Sequence, residues 1–222
     1  MVHECCLCLA ALSMEPTVEP RVLRVGRVRM NDGKLEIAIL AWGSLMWEVR
    51  PEFDEHHEEW SLDGPVLKVE FSRISTSRQN ALTLVIDKKY GVATAVAWCL
   101  SKRQSIEDAI CDLRCREGTT HKNIGCVCMS VNSSPSLCPT IKDWAVERHL
   151  DAVIWTALES NFEKKKGTSF SVLAAVEHIK KLDACGQAKA AEYVWRAPAF
   201  IHTPVRDALQ QEPWFSHSKP SV

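Results

Sequence analysis

The sequence predicts an α+β fold, on three observations. Apolar runs of strand length come first and give way, after residue 105, to helix-period patterns. The early connections are short, as antiparallel hairpins require. Finally, 222 residues with 46% apolar and 25% charged side chains suffice for one domain with a sizeable core. Lys and Arg number 27 against 28 Asp and Glu, a net charge of −1. That balance lacks the basic excess of a nucleic-acid binder, so the partner expected is a small molecule.

Residues 1–30 differ from the rest. Cys5, Cys6 and Cys8 crowd together, Pro16 and Pro20 follow, and the basic residues from Arg21 to Arg29 show no periodicity. This reads as a poorly structured extension ahead of a single domain over 31–215, an acylated cysteine anchor being the alternative. The apolar stretch 5–14 is short and follows no Lys or Arg, unlike a secretory signal. No run approaches the roughly 18 apolar residues of a membrane helix. The ten cysteines are unevenly spaced, which suggests buried thiols in a reducing compartment, the cytoplasm, rather than a disulfide framework.

Taken in order, residues 35–41 form a mostly apolar run that stops at Gly43-Ser44. Residues 66–74, 81–86 and 92–100 are further strands, separated by polar turns. Over 105–116 the period changes: Ile106, Ala109, Ile110 and Leu113 share a helical face, Ser105 is placed to cap it and Gly118 to end it. Strand character returns at 125–131 and 152–158. Helices are expected over 139–150, 169–183 and 186–195, with a short one after Thr203-Pro204.

Two motifs could carry chemistry. Trp42-Gly43-Ser44-Leu45 leaves a buried strand through a Gly-Ser turn, which lets backbone N–H groups approach a ligand; a plain strand-ending turn is the alternative. Glu117 closes the 105–116 helix at the end that favours cations. Partial burial would raise its pKa, as a general base needs, whereas Arg114 and Arg116 could instead hold it ionised in a surface ion pair.

The two motifs in this order resemble the γ-glutamylcyclotransferase-like family, especially its ChaC-type branch. That branch carries Tyr-Gly-Ser-Leu and then an aromatic, matched here by Trp42-Gly43-Ser44-Leu45 and Trp47. About seventy residues later its Arg-Glu pair after a Leu is matched by Leu113 and Arg116-Glu117. Between them, Glu70-Phe71-Ser72-Arg73 is similar to a segment in which an aromatic and an arginine follow the second strand. The resemblance covers about 37–131 and implies a small mixed β-barrel with a pocket at its open end. It implies Glu117 as the catalytic residue, with Trp42, Gly43, Ser44, Leu45 and Arg73 on the substrate. The implied reaction is intramolecular aminolysis of a γ-glutamyl compound, releasing 5-oxoproline and an amine without metal or other cofactor. Trp42 replaces the family's Tyr, and Gly118-Thr119-Thr120 replaces the Lys-Gly-Gly-Tyr typical of glutathione-specific members; both changes fall on the substrate side. The rival expectation is a non-catalytic small-molecule sensor on the same fold.

The remaining candidates carry less. Cys126 and Cys128, with His121 and Cys138, could be drawn as a zinc site, but strand spacing favours a plain surface or core pair, and no metal is expected. Cys115 as a hydrolase nucleophile lacks an evident partner. His56-His57 in an acidic loop and Lys164–Lys166 read as solvated. Ser160 and Asn161 follow a strand and either line the same mouth or form a turn. Residues 193–206 are expected to pack back on the domain.

Overall fold

The structure, a computed structural model, describes residues 34–130 and 139–216. The extension over 1–30, Cys138 and the end of the 125–131 strand lie outside the described residues. The unit beginning at Lys34 is described by itself. Its strands in chain order are β1 (Ile37–Ala41), β2 (Val66–Ser75), β3 (Ala81–Ile86), β4 (Val92–Ala95), β5 (Ala97–Leu100), β6 (Ile124–Cys128) and β7 (Ala152–Thr156). Its helices are α1 (Pro51–Asp54), α2 (Ile106–Arg116), α3 (Pro139–Glu147), α4 (Phe162–Lys166), α5 (Val172–Lys180), α6 (Ala184–Arg196), α7 (Pro204–Gln211) and α8 (Pro213–Ser216). The class is α+β, and no described helix is long and apolar enough to cross a membrane.

The strands form two sheets, one ordered β5-β1-β7-β6 and the other β3-β2-β4. β1 runs parallel to β7 and antiparallel to β5. All five β1 residues are buried, which explains why their sequence does not alternate. Ile37, Ile39 and Ala41 join Leu113 and Ile154 beneath α2, while Ala38 and Leu40 face the larger core with Phe71, Val153 and α6. The four-stranded sheet thus divides two hydrophobic layers. Ser105 accepts from the Asp108 N–H at 3.1 Å and caps α2, and Gly118 follows that helix with φ +57°, as the sequence suggests.

Several expectations need correcting. The single strand over 92–100 is two: β4 pairs with β2 and β5 with β1, so the chain changes sheets at Val96. The 152–158 strand ends at Thr156, and the last helix pair meets at Asp183, which caps α6 through the Gly186 N–H at 2.7 Å. The acidic loop contains α1, on which the His57 ring packs between Phe53 and Trp60 rather than standing in solvent. Among the described residues the cysteines are mostly not buried: Cys99 is, while Cys111, Cys115, Cys126 and Cys185 are exposed and Cys128 is intermediate. The inner face of α2 is already filled by Ala109, Ile110 and Leu113, and β6 is a sheet edge, so the thiols there point outward.

Candidate functional site

Because β1 and β7 are parallel, their carboxyl ends fall together, where a sheet of this kind leaves a crevice. Their register, Ile39 opposite Ile154, continues to bring Ala41 level with Thr156. The chain leaving β1 turns through Gly43 into a short 3-10 helix, Ser44–Met46. A cleft of about 410 Å³, measured to its open mouth, lies there; its lining includes Trp42, Gly43, Ser44, Leu45, Glu117 and Tyr193. The turn and the carboxylate, 73 positions apart, therefore share one hollow.

Arg116 joins them. Its side chain is 4% exposed, and one Nη donates to the carbonyls of Ser44 and Glu48, both at 3.0 Å. The other Nη lies 3.6 Å from Glu117 Oε1. One guanidinium thus fixes the end of α2 against the turn, a fork that only Arg supplies. Burial raises the Glu117 pKa above its ordinary value; Arg116 and Arg78 pull it back, and Glu48 pushes it further up. With its side chain 19% exposed, Glu117 lies between the two sequence expectations: ion-paired, yet recessed enough for burial to raise its pKa.

Tyr193 on α6, which the sequence offered only as part of a returning segment, forms the opposite wall. It is 4% exposed and meets Trp47 edge-on with centroids 5.1 Å apart. Burial pushes its phenol up to about 12, opposed by Arg78 and by backbone hydrogen bonds at Ser44 and Leu84. The Arg78 guanidinium lies 4.9 Å from the ring centroid and donates to Glu48 at 2.6 Å. Burial lifts the Glu48 pKa, but hydrogen bonds from Arg78 and Arg50 outweigh it and hold the carboxyl low. A Cβ built on Gly43 would stand 2.4 Å from the Tyr193 hydroxyl, so the glycine is needed for contact with a side chain 150 positions away. Thr156 contributes a buried Oγ1 with no hydrogen-bond partner among the described residues, a polar atom left for a ligand.

Other expected residues lie elsewhere. Trp42 is 6% exposed, its Nε1 donating to the Leu84 carbonyl at 3.3 Å, so it touches the cleft from within the core. Arg73 is not among the cleft-lining residues; its guanidinium donates to the Glu159 carbonyl at 2.7 Å. The β2 strand is irregular between Glu70 and Arg73, which alters where successive side chains point. Asn161 exchanges hydrogen bonds of 2.7 and 3.1 Å with the Ile74 backbone, and Ser160 donates to the Ser72 carbonyl at 2.9 Å. Both side chains tie down the segment after β7, the turn reading of the sequence. Among the described residues, no three His, Cys, Asp or Glu side chains are grouped to hold a metal.

Compared with family models, curated proteins and solved structures, the chain finds no match.

Proposed function

We propose that this chain is a γ-glutamylcyclotransferase-like enzyme that cyclises a small γ-glutamyl compound to 5-oxoproline and a free amine. The observation that carries this reading is the sharing of one cleft by the Glu117 carboxyl and the Gly43-Ser44 turn. Intramolecular aminolysis needs a base of raised pKa, donors for an oxyanion, and a wall that folds the substrate. Glu117 is the base. It takes a proton from the α-ammonium, and the freed amine attacks the γ-carbonyl carbon. The new C–N bond forms as the carbonyl oxygen becomes an oxyanion. Amides at the head of the 3-10 turn have no partner within it and serve as donors, and the protonated Tyr193 hydroxyl is placed to join them. Glu117 returns its proton to the leaving nitrogen, and the oxyanion collapses to a carbonyl as the original C–N bond breaks. The second proton of the new ring nitrogen passes to the departing amine, which leaves as an ammonium. This sequence asks for neither metal nor cofactor. Among the described residues six thiols are free and five of them are not buried, which fits a reducing compartment such as the cytoplasm.

The test is 5-oxoproline release from a panel of γ-glutamyl dipeptides and amines. Glu117→Gln keeps size and hydrogen bonding but carries no titratable proton, so kcat is expected to fall by about 10²–10⁴-fold with KM little changed. The acid limb of the wild-type pH profile should lie above the ordinary glutamate value of 4.5. A Glu117→Gln variant that turns over normally refutes the base assignment. Tight γ-glutamyl binding without turnover identifies the cleft as that of a sensor.

A further inference from the structure

A second hollow adjoins the cleft, and Leu158 lines both. It measures about 1040 Å³ to its open mouth, and its walls include Ile86, Gly125, Trp155, Ala157 and Leu158. The two hollows divide neighbouring residues of the same strands: Leu84 and Val85 face the cleft and Ile86 the groove, while Thr156 faces the cleft and Trp155 the groove. Leu158 thus marks where the two hollows meet.

The groove is apolar by construction. Gly125 pairs with Trp155 across β6 and β7, and any Cβ at Gly125 would collide with the indole, so the ring covers this glycine. Its rim also carries Asp87, Lys88, Lys89 and Glu159. Lys89 is 3.2 Å from Glu163, and Asp87 Oδ1 accepts the N–H groups of Lys89 and Tyr90 at 3.0 and 2.9 Å. The far wall is held rigid: Arg73 fastens the Glu159 carbonyl and Ser160 fastens itself to Ser72. A wall fixed before the ligand arrives costs little ordering on binding.

Resting on the γ-glutamyl reading of the cleft, we propose that this groove seats the leaving amine, and that the chain selects γ-glutamyl compounds whose amine carries a bulky aliphatic or aromatic side chain. The cleft takes the γ-glutamyl end, the scissile nitrogen lies at Leu158, and the apolar side chain of the amine displaces water from the half-buried Ile86, Ala157 and Leu158.

The experiment compares γ-glutamyl-phenylalanine, γ-glutamyl-leucine and γ-glutamyl-glycine on the full chain, reading kcat/KM from 5-oxoproline. The two apolar compounds are expected to exceed the glycine compound by about 10–100-fold, the range that burial of one such side chain supplies. Ala157→Trp, which fills the groove, should bring that ratio close to one. Turnover of all three at equal rates, or fastest with glycine, overturns the groove assignment and leaves the cyclotransferase reading standing. If none releases 5-oxoproline, the catalytic reading falls and calorimetric titration of the same compounds decides the groove. At least tenfold tighter binding of the apolar pair upholds it, while equal or absent binding overturns it. The wild-type ratio decides the matter even where the Ala157→Trp chain does not fold.

Discussion

Gly43 and Tyr193 form the closest-fitting contact of the cleft, and the fit predicts a compensating pair of substitutions. Gly43→Ala forces a methyl group against the phenolic oxygen and is expected to cost about 1–3 kcal/mol, with weaker γ-glutamyl binding. Tyr193→Phe removes that oxygen, and the ring carbon behind it stands at a tolerable 3.4 Å. The double variant should therefore recover most of the melting temperature lost by Gly43→Ala, a non-additivity read from a thermal double-mutant cycle. Additive losses would place the strain elsewhere. Glu70 makes a second prediction. It is 1% exposed, and burial raises its pKa to about 7 despite hydrogen bonds from Thr203, Phe71 and Val205. Nearby Asp87 adds to the rise. The unfolded chain ionises Glu70 near 4.5 and the folded one only near 7, so stability falls as pH rises between those values and levels off above. The loss amounts to about 3 kcal/mol. Glu70→Gln, isosteric with the neutral acid, should flatten that slope and raise Tm at pH 8 by about 6–12 °C, with little change at pH 5.

Between elements, the decisive joint is that of α2 with the turn after β1, made by Arg116. Arg116→Lys retains the charge but offers one nitrogen where Arg offers two, so the carbonyls of Ser44 and Glu48 and the Glu117 carboxylate compete for it. The expected result is a loss of about 2–3 kcal/mol in stability, measured by urea unfolding, together with lower turnover as Glu117 loses its register with the turn. The helix itself was legible from residues near in sequence: Ser105, the apolar face and Gly118 are local signals acting within one element. The Gly-Ser turn and Glu117 were locally legible as a strand-ending turn and a helix end, and it was the family resemblance that joined them as a candidate site. The break at Val96 was not, because its apolar pattern runs on unbroken. Its cause is a partner distant in sequence: Val96 donates to the Pro65 carbonyl at 3.1 Å and accepts from the Gly64 N–H at 3.0 Å. Tyr193 was unreadable on the same ground, since nothing near it hints at Gly43. The bond of Arg73 to the Glu159 carbonyl, away from the cleft lining, follows an irregularity in β2 that strand alternation does not reveal. The outward cysteines were misjudged because their type is usually buried, while the inward positions beside them were already occupied.

At the scale of the whole molecule, the unit from Lys34 contains both hydrophobic layers and the cleft as far as the described residues form them. A chain lacking residues 1–33 should therefore remain soluble and keep its melting temperature within a few degrees, as differential scanning calorimetry would show. Insolubility of that chain would reveal that the cysteine-rich segment completes the core. The parallel joining of β1 to β7 also has a consequence in time. The strand's neighbours are tied across 115 positions by the bond from the Glu36 N–H to Asp151, and the last wall of the cleft arrives with Tyr193. At a synthesis rate of about 5–20 residues per second, the first strand emerges from the ribosome roughly ten seconds before its parallel partner. For that interval Ile37, Ile39 and Leu40 have no sheet to join on that side. A nascent chain built this way depends on being shielded while it waits, and its cleft is among the last parts of the molecule to come into being.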